Sequence, residues 1–255
     1  MKELSSKINS VEKALSLIEF FDVRNPKMSL QEIAEKTGYS KPTVFRIVCS
    51  LEKFGYLKRF NERGEVKFRL GMTFIEKGEL VNNQIDLREI AKSEMIRLRS
   101  KIGLSVQLAI RDGYEAIYIE QYESLNPIRV FPQVGRRVPL YAAACPRILL
   151  AYLPEDELDY ILENFTYEAY TKSTITNIEQ IKQEIDKIRS KGYSTSKGEL
   201  YEGTVAIAVP IYSVNNKVIA ALSIIGVVND ITNEKQLKEY VNELKKSAAS
   251  IKQKL

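Results

Sequence analysis

Ser29–Leu70, SLQEIAEKTGYSKPTVFRIVCSLEKFGYLKRFNERGEVKFRL, is the stretch whose reading decides the fold. Ser29, with Glu32 three residues on, has the spacing of a capping box, and Leu30, Ile33 and Ala34 follow at helical intervals. Thr37-Gly38-Tyr39 breaks that helix, since Gly38 can take a positive φ without steric cost. Ser40 then caps a second helix, and its early Pro42 lacks only an N–H that a first turn leaves unpaired anyway. Two short helices joined by a Gly-containing turn form a helix-turn-helix.

On the second helix Val44, Ile47, Val48 and Leu51 form one stripe that must be buried. The opposite face carries Pro42, Arg46, Cys49 and Lys53, flanked by Thr43, Phe45 and Ser50, with no carboxylate near its centre. A short-chained basic face suits a major groove, where side chains near a helix start reach base edges. After Gly55, two alternating runs, Tyr56–Phe60 and Glu65–Leu70, flank Asn61–Gly64 as a hairpin. In the second run Val66, Phe68 and Leu70 share one side and Lys67 and Arg69 the other. A basic hairpin in that place is a wing for phosphates. The plainer reading is a small helical subdomain with a hairpin; the wing, the glycine spacing and the basic face together favour double-stranded DNA.

Charge placement agrees. Residues 1–70 hold fourteen Lys and Arg against nine Asp and Glu, so this N-terminal part carries the whole formal charge of +5, and residues 71–255 balance. At 255 residues and 44% hydrophobic, the chain is long enough for two domains. A polar Met1–Asn9 and the lack of any membrane-length apolar run predict a cytoplasmic protein with no membrane partner. Two cysteines, Cys49 and Cys145, make no disulfide framework. Histidine is absent, which removes His-dependent triads, His-ligated zinc and the ordinary near-neutral pH switch, so no catalytic residue, metal or cofactor is expected.

Outward from the quoted stretch, Ile8–Phe21 presents Val11, Ala14, Leu15, Ile18 and Phe21 on one helical face, completing a three-helix core before Asn25-Pro26. Residues 71–84 read as a connecting helix with Phe74, Ile75 and Val81, able to pair with its copy in a partner chain; an exposed linker is the alternative. From residue 85 a second domain begins. Its first helix, to Lys101, carries Leu87, Ile90, Ala91, Leu98 and Ile102, with Met95 off the stripe. Strands Ser105–Arg111 and Glu115–Tyr122 flank Asp112-Gly113, a strong hairpin signal, and Ile128–Pro132 reads as a third strand. Helices are expected through Tyr152, from Pro154 to about Asn164, from Asn177 to Lys191 and from Thr232 to the C-terminus. A strand near Tyr193 and a hairpin of Val205–Tyr212 with Lys217–Val227 complete an α+β domain, an antiparallel sheet flanked by helices.

The motifs resemble the IclR family of bacterial transcription regulators over nearly the whole chain. The quoted stretch, ending in RLG, carries the N-terminal resemblance; GRRVPLYAAA, KGYSTSKGELYEGTVAIAVPIY and VIAALSIIG, in order, carry the rest. The resemblance implies a winged helix-turn-helix (1–70), a connecting helix (71–84) and a GAF-like effector domain (85–255). It also implies homodimers or dimers of dimers on operator DNA, with a small carboxylic or sugar-derived acid as effector. Arg46 and Thr43 are the expected base contacts; Lys41, Lys53, Arg63, Lys67 and Arg69 the expected phosphate contacts; Ser40, Pro42 and Ser50 complete the DNA face. The family's pocket maps onto Val130, Ala144, Cys145, Ser196, Thr204, Ala206, Ser223 and Ile225. A helix start after Tyr141 would offer amide donors to an anion. Two departures stand out: Pro146-Arg147 replaces the common Gly-Lys, removing an amide donor, and Ile225 replaces a common hydroxyl. Both favour a larger or partly apolar ligand over one like glyoxylate. The functional expectation is a ligand-responsive repressor of a catabolic operon; the alternative is a thiol enzyme or redox sensor using Cys145.

Overall fold

Ser29 ends a strand and caps a helix at once. Its Oγ accepts from the Glu32 amide at 3.3 Å, and the Glu32 carboxylate accepts from the Ser29 amide at 2.7 Å, so both halves of the capping box close. The computed structural model describes residues 9–82, 86–124, 126 and 134–255. The chain divides into two compact units, one running to residue 85 and one from Asp86 onward.

The first unit runs α1 (Asn9–Ile18), β1 (Met28–Ser29), α2 (Leu30–Thr37), α3 (Lys41–Lys53), β2 (Leu57–Glu62), β3 (Glu65–Leu70) and α4 (Thr73–Asn82). Its three strands are antiparallel in the order β1-β3-β2. Leu17, Phe21, Met28, Ile33, Val44, Val48, Leu57 and Phe68 fill one core. The α3 stripe is as expected, with Val44 and Val48 fully buried and Ile47 and Leu51 packed at the margin. Gly38 ends α2 at φ 70, its amide donating to Ala34.

Three expectations are corrected here. In α1 the buried residue is Leu17, with Phe21 just beyond the helix, while Val11 and Leu15 stand 50% and 59% exposed. A 3.6-residue period admits several phases when apolar residues are this frequent, and only the packing partner selects one. On β3 only Phe68 is buried, opposite β1 and beside the buried Leu57 of β2 in the core; Val66 and Leu70 are exposed. The hairpin loop is also tighter than four residues. Strand β2 extends to Glu62, and Arg63 and Gly64 both take positive φ (54° and 86°), as a two-residue primed turn requires. Strand β1 itself went unseen, being too short to show a period.

Helix α4 forms where a connecting helix was expected. Phe74 meets the Tyr56 ring edge-on at 5.3 Å, while Ile75 and Leu80 are exposed.

The second unit runs α5 (Asp86–Ile102), β4 (Ser105–Asp112), β5 (Glu115–Tyr122), β6 (Arg137–Pro139), α6 (Ala144–Ala151), α7 (Glu155–Asn164), α8 (Ile178–Lys191), β7 (Ser194–Lys197), β8 (Thr204–Tyr212), β9 (Val218–Val227) and α9 (Glu234–Gln253). The strands form one antiparallel sheet in the order β6-β5-β4-β9-β8-β7. Helices α5 and α9 pack on one face; α6, backed by α8, packs on the other. The α+β class and the helix-flanked antiparallel sheet are those expected. Met95, placed off its stripe by sequence, is fully buried in α5. The expected strand at 128–132 lies outside the described residues. Among the described residues, no helix is long and apolar enough to cross a membrane.

Replacing Ser29 by Ala opens the capping box. The expected cost is about 1 kcal/mol of stability in the first unit, read as a lower urea midpoint of its unfolding transition at unchanged slope.

Candidate nucleic-acid interface and ligand cavity

Burial of Val44 and Val48 fixes the rotation of α3 and leaves Lys41, Pro42, Phe45, Arg46, Ser50 and Lys53 exposed. Ser40 sits at the N-cap, but its hydroxyl meets the Thr43 hydroxyl at 2.9 Å rather than a backbone amide. Lys41 Nζ donates to Gln31 at 2.7 Å, tying the start of α3 to α2. Glu52, the one carboxylate on α3, pairs with Arg59 at 2.9 Å. Helix α1 adds what sequence reasoning missed: Ser10 and Lys13 line an open groove with Thr43, Arg46 and Ser50.

The wing cations differ from one another. Arg63 at the turn and Arg69 on β3 are exposed, Arg69 lying over the Phe60 ring at 5.5 Å. Lys67 is half-buried, with Glu62 at 3.5 Å and Glu65 at 3.6 Å. Burial lowers its pKa, but Glu32, Glu65 and Glu62 together raise it above the ordinary lysine value. Its charge is therefore largely answered within the unit before any phosphate arrives.

The second unit holds a small cavity of about 20 Å³ between the start of α6 and the sheet. Seven of the eight residues expected there line it: Ala144 and Cys145 from α6, Ser196 from β7, Thr204 and Ala206 from β8, Ser223 and Ile225 from β9. Val130 lies outside the described residues. Strand register explains the gathering, because Ser196 pairs with Ala206 and Ala206 with Ile225, one row across three strands. The next row two residues on sets Ala208 beside Ser223 and Ser223 beside Gln107. Small side chains at Ala206 and Ala144 leave the space.

Six lining residues escaped the sequence reading: Gln107, Tyr118, Arg136, Ala143, Leu200 and Tyr201. Gln107 had a local signal, a polar amide at an inward position of the apolar strand SVQLAI. Arg136 and Tyr201 had none, since they meet only in the folded chain, the guanidinium lying over the ring at 4.5 Å. The cavity is thus more polar than Pro146 and Ile225 alone suggested.

The α6 start is unusual. Ala143, its N-cap, has φ 70 and ψ 174, a region essentially reserved for glycine and costing about 1–3 kcal/mol. Its amide donates to the Glu199 carboxylate at 3.3 Å. Arg147, fully buried, pairs with the other oxygen of Glu199 and also reaches the Thr195 carbonyl at 3.4 Å. Arg147 therefore anchors the cavity wall and is not part of its lining. With Pro146 lacking an N–H and the Ala143 amide engaged, Ala144 and Cys145 keep the first-turn amides.

Burial pushes the Cys145 thiol up to about 12, against a lowering contact from Ser223. The sulfur donates to the Ala221 carbonyl at 3.6 Å. A thiol held neutral in this way is neither nucleophile nor ready redox sensor, which removes the chemistry on which the alternative reading rested. Among the described residues no cluster of His, Cys, Asp and Glu could hold a metal ion.

A winged helix with an outward basic helix, joined in one chain to a domain with a small-molecule cavity, defines a DNA-binding transcription regulator with an effector domain. Residues 80–253 match the family model described as bacterial transcriptional regulator IclR, C-terminal, and residues 10–59 match the IclR helix-turn-helix domain. The chain belongs to the IclR family, a family of regulators rather than enzymes. It is 37% identical over 246 residues to the HTH-type transcriptional regulator KipR of Bacillus subtilis, covering 96% of each chain. Among solved structures it resembles Thermotoga maritima IclR, with a TM-score of 0.78 and 31% identity over 98% of this chain and 99% of that one. It also shares the fold of an IclR homologue from Microbacterium hydrocarbonoxydans complexed with 4-hydroxybenzoate, with a TM-score of 0.82 and 24% identity over 96% of this chain and 98% of that one.

Two outcomes follow from the α6 geometry. Glu199→Ala leaves the Arg147 charge buried and unpaired and is expected to cost about 3–5 kcal/mol, whereas Arg147→Met with Glu199→Leu loses far less; urea unfolding of the second unit measures both. In a thiol titration of native protein with Ellman's reagent, Cys49 reacts and Cys145 reacts only after unfolding; two fast thiols would contradict the buried, neutral Cys145.

Proposed function

We propose that the first unit reads operator DNA through α3 and the wing, and that a small organic ligand in the second unit's cavity controls this binding. The observation that carries the DNA half is the outward face of α3. Arg46 and Lys53 stand exposed there, Thr43 and Ser50 sit beside Arg46, and Glu52 is drawn off by Arg59. Arg46 and Thr43 take base edges, as bidentate or hydroxyl contacts in a major groove do. Lys41, Lys53, Arg63 and Arg69 take phosphates, with Ser40 and Pro42 at the helix start close to the backbone. Lys67 contributes less than its neighbours because its carboxylate partners already surround it.

The ligand half rests on the cavity, its mixed lining and the small-molecule complex of the Microbacterium homologue. A carboxylic or sugar-derived acid with a partly apolar body suits a lining that mixes Leu200 and Ile225 with Ser196, Thr204 and Ser223. The ligand acts only through its different affinity for the arrangements that do and do not fit the operator. Two copies of the chain provide two recognition helices. Exposed apolar side chains on α1 (Val11, Leu15) and at α4 (Met72, Ile75, Leu80) are open to a second copy, in a dimer or a dimer of dimers. The protein works in the cytoplasm as a repressor of a catabolic operon, released when the ligand accumulates.

Arg46→Ala is expected to erase the preference for operator over random duplex, whereas Arg69→Ala weakens both alike and lowers the salt slope by about one. Lys67→Ala lowers that slope by less. Equal losses on both duplexes for Arg46→Ala, measured by fluorescence anisotropy across a salt series, refute the assignment.

A further inference from the structure

The charged groups around the cavity are one-sided. Among the described residues lining it, Arg136 alone is ionised at neutral pH, and there is no Asp or Glu. Arg136 is half-buried yet pairs with no carboxylate among the described residues; its one aromatic partner is the Tyr201 ring beneath it. Burial lowers its pKa, opposed by the hydroxyls of Tyr118 and Tyr170, and a guanidinium so placed remains charged. A partly desolvated cation without a counter-ion is costly, and stacking on an aromatic face leaves its N–H edge free. At the sheet, the Ser223 hydroxyl is fully buried and makes no hydrogen bond to nitrogen or oxygen among the described residues. Its cross-strand neighbour Gln107 gives its side-chain amide to Gln121 at 3.3 Å. The neighbour of the Ser223 hydroxyl is the Cys145 sulfur, a weak partner, and the hydroxyl faces the same space as Arg136.

Resting on the reading of this space as the effector site, we propose that Arg136 is the ligand-binding residue that selects an anion, its guanidinium holding the ligand's carboxylate while Ser223 meets a second polar group on the ligand. Tyr201 fixes the plane of the guanidinium. Neutral molecules of the same shape are rejected because they leave the cation unpaired, a penalty larger than the loss of one apolar contact.

The test is a thermal-shift and calorimetric panel of matched acids and amides on full-length protein. The pairs are 4-hydroxybenzoate and 4-hydroxybenzamide, mandelate and mandelamide, lactate and lactamide, gluconate and gluconamide. The expected result is that compounds raising the melting temperature are acids, with their amides at least tenfold weaker. Arg136→Gln abolishes that tenfold preference, and Arg136→Lys restores part of it. Ser223→Ala weakens 4-hydroxybenzoate but leaves benzoate unchanged. Far-UV dichroism and the unliganded melting temperature verify that each variant folds. Amides binding as well as acids, or Arg136→Gln keeping the preference, overturns the role of Arg136 and leaves the effector site standing. No compound of either kind binding the wild type overturns both.

Discussion

The buried pair of Arg147 and Glu199 sets the geometry on which the cavity depends. Glu199 accepts from the strained Ala143 amide with one oxygen and from Arg147 with the other, so the loop after β7 and the first turn of α6 are fastened together. The same loop is held from outside, where the Thr174 hydroxyl donates to the Glu199 carbonyl at 2.6 Å and the Thr171 hydroxyl to the Gly198 carbonyl at 2.6 Å. An alanine at φ 70 persists only where its surroundings over-determine it, and these bonds do so. Two guanidinium nitrogens of Arg147, Nε and Nη1, find no partner among the described residues. The pair is thus a positioning device more than a source of net stability. Removing either member alone strands a charge, so the two positions can change only together.

Around that fixed wall the sheet supplies room and polarity in alternation. Strands β8 and β9 direct Ala206, Ala208 and Ala221 at α6, where larger side chains would fill the space, and place Ser223 between them and Gln107. Helices α5 and α9 close the opposite face with Leu98, Leu244 and Ile251, none of which reaches the cavity. In the first unit the same economy holds at smaller scale. Val44 and Val48 fix one rotation of α3, and that rotation alone decides which side chains face outward.

What could be read from sequence follows how local each determinant is. The α2 cap, the α3 stripe and the β4–β5 and β8–β9 hairpins depend on residues within a few positions of one another, and all were legible. The phase of α1 was not, because Val11, Ala14, Leu15, Leu17 and Ile18 allow more than one apolar face, and contact with α3 chooses Leu17. Strands β1 and β6, of two and three residues, carry no period to read. Seven cavity residues were reached through a family resemblance whose motifs lie on the strands and on α6. Arg136 and Tyr201, sixty-five positions apart, become a unit only when the edge of β6 and the loop before β8 close on one space. The fate of Arg147 was equally hidden. The motif shows only that an arginine stands where the family commonly has lysine; its partner Glu199 lies fifty-two positions on.

The chemistry of the lining carries one more consequence. Arg136 keeps its proton, Tyr118 is held well above the ordinary phenol value by burial, and the Cys145 thiol is raised to about 12. With no imidazole anywhere in the chain, these three groups each keep a single charge state near neutral pH. A carboxylic acid ligand, with a pKa of about 4, is likewise fully ionised there. On the proposed reading, occupancy of the cavity follows the concentration of the ligand rather than pH near neutrality.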